Sequence, residues 1–384
     1  MKLVVLNFSY GTNPYLRTTE IALGVNEELK RCGQERLGII LPWIYGERQK
    51  NILLEEFGRY GHASEIYLDL ELGEILQSVL YGNGTYANSL DTWIRRFESK
   101  SQEARVHLSG KVRVQDLKGN ASILEGNDIV LELARSPRLL FHTSPSINVT
   151  FGHTSEILKR TIELPPGTCD IDKKQMEEAL VIAETIERYQ TLHIMAQPGP
   201  FYPERARVAN EWYSPPHVRV QEHNTDNIEQ GIYITETGIP GLRHLYSGVQ
   251  DWNTTIYSNS TLITKSSVRA SPHIVSHPNI LFHYARCGWG SIWLSHICDT
   301  PIVTPPHDPS DDPEIYFNIA TVARLKLGIV HTDQTFEEII SETKMLREEI
   351  DKQNRTLLEE FKTLDGIQYS ARIIADFLVQ KKLV

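Results

Sequence analysis

Cysteine is scarce: four in 384 residues, at 32, 169, 287 and 298, with no CxxC pair and no metal-ligand spacing. That excludes a disulfide-stapled scaffold and a cysteine-ligated metal site, and it suits a reducing compartment. No run of about 20 apolar residues occurs, so no membrane-spanning helix is expected. The opening MKLVVLNF is too short for the apolar core of a signal peptide. A cytoplasmic protein is therefore predicted, in which Asn-x-Ser/Thr sites such as Asn120 and Asn253 never meet glycosylating machinery. Positive charge is also in deficit: 39 Lys and Arg against 49 Asp and Glu give a formal net charge of −10. No global field draws the chain onto nucleic acid or anionic lipid, so any phosphate it binds must be held locally.

What is present is an ordinary soluble composition, 40% hydrophobic and 23% charged, at a length that favours two domains. Lys2 to Asn7 is a short aliphatic run, Ser9 to Pro14 a Gly/Asn/Pro loop, and Ile21, Val25 and Leu29 recur at helical spacing. Gly33 ends that helix and Leu37 to Leu41 is a second strand, an order that produces a parallel sheet. Residues 56–132 resolve only loosely, as an amphipathic basic segment from Thr92 to Leu108 and a hairpin-like tract around Gly110 to Ile123. Asp172 to Gln190 reads as a helix and Leu192 to Ala196 as a strand. Five prolines between 198 and 216, followed by the polar QEHNTDNIEQ, mark a connection, and the domain boundary is placed near residue 225. Gly231 to Thr235 then opens a second strand–loop–helix pattern with the loop Glu236-Thr237-Gly238, so two βαβ-type halves are implied. Phe336 to Leu383 is charged and helical.

The most informative stretch is FHYARCGWGSIWLSHICDTPIV, 282–303, and the TPPHDPSDDPEIYFN that follows it. Gly288 and Gly290 flank Trp289 just before a helix near Ser291, where free backbone N–H groups attract phosphate. Ser291 adds a hydroxyl, and Arg286 a guanidinium that matches phosphate oxygens. The plain alternative is a glycine turn between strand and helix with the tryptophan in the core. Asp312, Pro313 and Glu314 read as an N-cap, an N1 proline and a first-turn acid. Glu314 and Asn318, four apart, share a face where a carboxylate and a carboxamide can read vicinal hydroxyls. For Asp311 and Asp312 the alternatives are capping and solvation, or, on weaker grounds, a cation.

These residues resemble the GT-B superfamily of nucleotide-sugar glycosyltransferases, in particular the MurG-like and UDP-glycosyltransferase group. The family's HCGWNS is matched here by RCGWGS, 286–291, and its sugar-binding acid and amide follow about twenty residues on. The strong part covers Pro278 to Asn318. The resemblance implies an α/β chain of the GT-B fold, two Rossmann-like domains facing a cleft. Residues 1–225 would bind the acceptor, 226–365 the nucleotide sugar, and 366–384 would form a C-terminal helix crossing back to the first domain. It implies diphosphate contacts from Gly288, Trp289, Gly290 and Ser291, sugar or ribose contacts from Asp312, Glu314 and Asn318, and a nucleobase lying along Pro278 to Leu281, including Asn279 and Ile280. Thr237 and Gly238 would add phosphate contacts. Arg286 stands where the family has histidine, and Gly290 where many members have asparagine.

The implied reaction moves a sugar from a nucleotide-activated donor, most often a UDP-sugar, to an acceptor hydroxyl, with inversion and without a metal. The nucleotide sugar is then a substrate, and no cofactor is expected. Members of the family carry a GHxxP-type loop after the first strand; this chain has Tyr10, Gly11, Thr12, Asn13 and Pro14 there, and Thr12 cannot act as a base at neutral pH. His153 in NVTFGHTSEI, with Glu156 behind it, is the candidate base instead. The partners expected are a nucleotide-sugar donor and an acceptor that no motif identifies, with no nucleic acid. Arg95, Arg96, Lys100 and Arg105 read as a solvated helix face or as a weak peripheral contact with the cytoplasmic face of a membrane. A nucleotide-sugar epimerase on the same scaffold, or a non-catalytic nucleotide-sugar-binding subunit, are the rival readings.

Overall fold

Six consecutive buried residues, Leu3–Phe8, form β1, the kind of continuous apolar run that a parallel strand covered on both faces requires. In the computed structural model β1 is flanked by β2, Gly38–Pro42, and β6, Ile129–Arg135, both parallel to it. The residues described are 1–58, 61–80, 84–141, 146–152, 154–201, 210–219, 227–239, 241–249, 252–261 and 266–384, so the boundary placed near residue 225 lies outside them.

Beyond β2 lie β3, Ile66–Asp69, and then an antiparallel extension of β4, Lys111–Asp116, and β5, Ala121–Glu125. Beyond β6 lie β7, Ile147–Thr150, β8, Leu192–Ala196, and β9, Glu211–Ser214. Among the described residues the order is β5-β4-β3-β2-β1-β6-β7-β8-β9. The order reverses between β1 and β6, and in open α/β sheets the crevice at the carboxyl ends of such a strand pair takes ligands. The helices of this half are α1, Thr12–Arg31, α2, Gly46–Phe57, α3, Leu70–Gln77, α4, Tyr86–Leu108, α5, Thr154–Ile162, and α6, Lys173–Glu187.

The second sheet contains β10, Gly231–Thr235, β11, Thr255–Ser258, β12, Val268–Arg269, β13, Ile280–Ala285, β14, Ile302–Thr304, and β15, Gly328–Val330. Among the described residues all its pairings are parallel, in the order β12-β11-β10-β13-β14-β15, which reverses between β10 and β13. Its helices are α7, Trp289–Ile297, α8, Pro313–Arg324, and α9, Phe336–Phe361. Thr335 and Glu338 close a capping box at the start of α9. The last helix, α10, Gly366–Gln380, returns to the first half and packs on α1 so closely that a Cβ built on Gly24 would lie 2.9 Å from that of Ala371. No described helix is long and apolar enough to cross a membrane.

Candidate functional site

The loops that leave β10 and β13 carry Glu236–Gly238 and Arg286–Gly288, so the second sheet's switch point brings together two separate stretches singled out in the sequence. Gly288 is the N-cap of α7, with no side-chain cap. Ser291 and Ile292 N–H groups bond to the Gly288 carbonyl at 3.0 and 3.1 Å. The N–H groups of Trp289 and Gly290, in the first turn, have no intrahelical acceptor. Ser291 is half-buried beside them. Asn318 reaches back from α8 to donate Nδ2 to the Cys287 carbonyl at 2.9 Å, locking the loop to the second helix.

Asp312 caps α8 by accepting from the Glu314 N–H at 2.9 Å, with Pro313 following it. Arg286 turns onto its neighbour Asp311: Nε and Nη2 each donate across 2.6 Å to a different carboxylate oxygen, and Asp311 is 1% exposed. Burial opposes the guanidinium's charge, but Asp311 outweighs it and holds the pKa above the ordinary arginine value. Glu314 is the electrostatic opposite. Burial first, and then the Asp312 carboxylate, push it up to about 7 against the pull of Arg286 and Arg135.

The first sheet's switch point faces this loop. Gly11, at φ +112°, precedes α1 and gives its N–H to the Tyr45 hydroxyl at 2.8 Å. Tyr10 meets the same tyrosine edge-to-face at 5.7 Å, and Thr12 opens α1 exposed to solvent. Asn13 accepts from Arg17 Nε at 3.2 Å and presses on the start of α7: a Cβ on Gly290 would come within 2.6 Å of all three terminal atoms of its carboxamide. Trp293 Nε1 donates to the Pro198 carbonyl at 2.9 Å, Thr321 Oγ1 to that of Pro200 at 2.6 Å, and Phe201 meets Phe317. The two halves thus touch across one seam, with the first turns of α1 and α7 opposed.

Several expected site residues have other employment. Arg286 is neutralised by Asp311 rather than open on every side to phosphate. Asn318 is fully buried, with Nδ2 given to the Cys287 carbonyl and Oδ1 buried without a partner, so it does not present an exposed carboxamide to a sugar. Asn279 and Ile280 lie at the amino end of β13, the far end from Gly288. Asn279 Nδ2 donates to the Ile228 carbonyl at 2.7 Å, and Ile280 is in the core. The strand's direction, which residue spacing alone did not reveal, separates them from the site. Thr237 gives its N–H to the Tyr246 hydroxyl and accepts from Ile239 N–H, while Gly238 is exposed with open space around it. Glu156, in the first turn of α5, is paired with Arg160 at 2.7 Å. His153 lies outside the described residues. On α4, Arg95 pairs with Asp91 and Lys100 with Glu103 along the helix itself. Among the described residues no three His, Cys, Asp or Glu side chains form a metal-binding group. Sequence reasoning missed Asn13 as a contact with α7 and His273 near Glu56 across the seam.

No protein-family model matches the sequence, and no curated protein does. Solved structures do. A UDP-glucosyltransferase from Polygonum tinctorium that glucosylates indoxyl is similar over 98% of both chains, with a TM-score of 0.57 at 10% identity. UGT2 of Phytolacca americana, solved with UDP-2-fluoro-glucose and pterostilbene, covers 100% of this chain and 98% of its own at TM-score 0.56 and 10% identity. The glycosyltransferase SnogD from Streptomyces nogalater has TM-score 0.52 and 12% identity over 98% of this chain and 99% of its own.

The fold is GT-B. Both sheets, the opposed switch points and the returning α10 are parts of one GT-B architecture, and the likeness runs the whole length of the chain. At such low identity it speaks for the fold, and the GT-B seam of this chain has its own side chains, Arg286 on Asp311 and Asn13 on Gly290 among them.

Proposed function

We propose that the protein transfers a sugar from a nucleotide-activated donor, a UDP-sugar, to an acceptor hydroxyl, with inversion and without a metal ion. The observation that carries this reading is the opposition, across the seam, of an uncapped glycine-flanked helix start and the loop after β1. Support comes from the structural neighbours, among them the UDP-glucosyltransferase of Polygonum tinctorium. In this reading the second half holds the donor. Trp289 and Gly290 N–H groups and the Ser291 hydroxyl take the diphosphate, with the α7 dipole favouring the anion, and Asp312 and Glu314 face the donor sugar or ribose.

The acceptor oxygen attacks the anomeric carbon as the bond from that carbon to the diphosphate oxygen breaks, and the electron pair leaves with the diphosphate. Donors fixed before the reaction stabilise that growing charge, the role a cation fills elsewhere. The acceptor's proton goes to a base, for which His153 is the proposed residue and Glu156, held by Arg160, the second choice. Thr12 and Asn13 belong to the acceptor side.

One observation favours a second reading, a nucleotide-sugar-binding subunit without activity: the loop after β1 offers Tyr10, Thr12 and Asn13 and no carboxylate or imidazole. The two readings part when UDP-glucose is incubated with and without a panel of phenolic and alcoholic acceptors. Acceptor-dependent release of UDP, lost in His153→Ala, is the expected result. Binding of UDP with no release under any condition supports the second reading. Isomerised sugar nucleotide from donor alone identifies an epimerase.

A further inference from the structure

The start of α1 brings more than bulk to the seam. Asn13, Arg17 and Glu20 follow one another along one face of α1, four and then three residues apart, so each can hold the next. Glu20 is 7% exposed and accepts from Arg17 Nη1 at 2.5 Å. Arg17 Nε in turn donates to the Asn13 carboxamide at 3.2 Å. A guanidinium has only donors, so the oxygen end of the carboxamide faces it and the amino end is turned elsewhere. Among the described residues Asn13 Nδ2 has no acceptor.

The carboxamide lies against the first turn of α7. A Cβ on Gly290 would come 2.5 Å from Cγ and Nδ2 of Asn13 and 2.6 Å from Oδ1, distances that no side chain at 290 can share with it. Glycine at 290 therefore lets a side chain of the other half rest directly on the helix backbone. The same turn holds further donors without partners. The N–H groups of Trp289 and Gly290 lack an intrahelical acceptor, and Trp289, 9% exposed, has its Nε1 buried and unbonded. Open N–H groups beside a carboxamide whose amino end is free make a surplus of donors, and the complementary ligand is a group with several anionic oxygens.

We propose that Asn13 is a ligand of the donor's phosphates: its Nδ2 donates a hydrogen bond to an oxygen of the nucleotide diphosphate at the start of α7. The inference rests on the donor site of the proposed function and adds to it a contact from the opposite half. Asn13 stands on the acceptor side of the cleft, so the diphosphate is held from both sides of the seam, by the first turn of α7 and by the first turn of α1.

The test is calorimetric titration of the full chain with UDP, and with uridine as a probe that lacks phosphate, in the wild type, Asn13→Ala and Asn13→Asp. Aspartate keeps the size of the side chain and the oxygen that meets Arg17, but puts a carboxylate oxygen where Nδ2 was. UDP should bind Asn13→Ala roughly 10- to 100-fold more weakly than the wild type, the worth of a hydrogen bond to a charged group. It should bind Asn13→Asp more weakly still, because the carboxylate repels the phosphate, while uridine binds all three alike. A role in packing alone gives the reverse order, with the isosteric aspartate near the wild type and alanine the weaker. That order, or a UDP affinity unchanged in both variants, overturns the proposal and leaves the donor site standing. Equal losses for UDP and uridine overturn it too, since the phosphates would then have no share in the effect. A wild type that binds UDP no better than uridine refutes the donor site itself, and the Asn13 contact falls with it.

Discussion

Asp311 shows how much one carboxylate decides at this seam. It neutralises Arg286 through two bonds of 2.6 Å in a buried setting, so its loss would strand a cation. Asp311→Asn should therefore destabilise the fold by about 3–5 kcal/mol, read by chemical denaturation. Ser291 is the contrasting case, since its hydroxyl supports no described contact within the chain. Ser291→Ala should leave denaturation almost unchanged and remove about 1.5–3 kcal/mol of transition-state stabilisation, read in kcat. Glu132 permits a test of sign. It is buried beside Asn7, whose Nδ2 donates to it at 2.8 Å, and burial pushes its pKa from 4.5 up to about 7. The folded state then holds a proton that the unfolded state has released, so stability falls as pH rises from about 4.5 to 7. Glu132→Gln keeps the hydrogen bond and escapes this penalty. The variant should match the wild type near pH 5 and exceed it near pH 8, by on the order of 3 kcal/mol at most. Sequence made the start of α7 legible because Gly288, Trp289, Gly290 and Ser291 are adjacent. It could not reveal the Arg286–Asp311 pair, since that depends on partners brought together by tertiary folding.

Among the elements, the ones read correctly are those whose signals are local. The aliphatic runs of β1 and β2 and the acid–proline start of α8 need no distant contact to be recognised. Residues 56–132 were obscure for a physical reason. The outermost strand β5 alternates exposed and half-buried residues, so it carries no apolar stripe, and α4 hides its core face among paired charges. Close packing between elements was illegible too. At the α1–α10 contact, alanine at position 24 would gain about 1 kcal/mol in helix propensity, but a 2.9 Å approach to Ala371 makes overpacking the larger effect, about 1–3 kcal/mol. Gly24→Ala should lower Tm and raise hydrogen exchange in α10 first. Gly290→Asn should likewise destabilise the seam by about 1–3 kcal/mol, and Asn13→Ala in the same chain should restore much of that loss. Recovery would place the collision at the opposed first turns of α1 and α7.

At the scale of the whole molecule, a mixed sheet with a parallel centre and a parallel sheet place their switch points face to face, and α10 ties the end of the chain to α1. The two-half plan was legible because the strand–loop–helix pattern occurs twice, whereas the side chains that fill the seam were not, because each half supplies only part of them. The chain's net charge of −10 opposes anion binding at long range, so any nucleotide affinity must come from local donors, which the proposed function puts at the start of α7. The most direct measurement is thermal stabilisation by UDP, dTDP, GDP and ADP of the wild type beside Ser291→Ala and Glu314→Ala, because a ligand of the folded state raises Tm in proportion to its occupancy. The predicted result is a shift selective for UDP that shrinks in both variants. The same shift from all four nucleotides in all three proteins, or no shift from any, would contradict a donor site at the helix start.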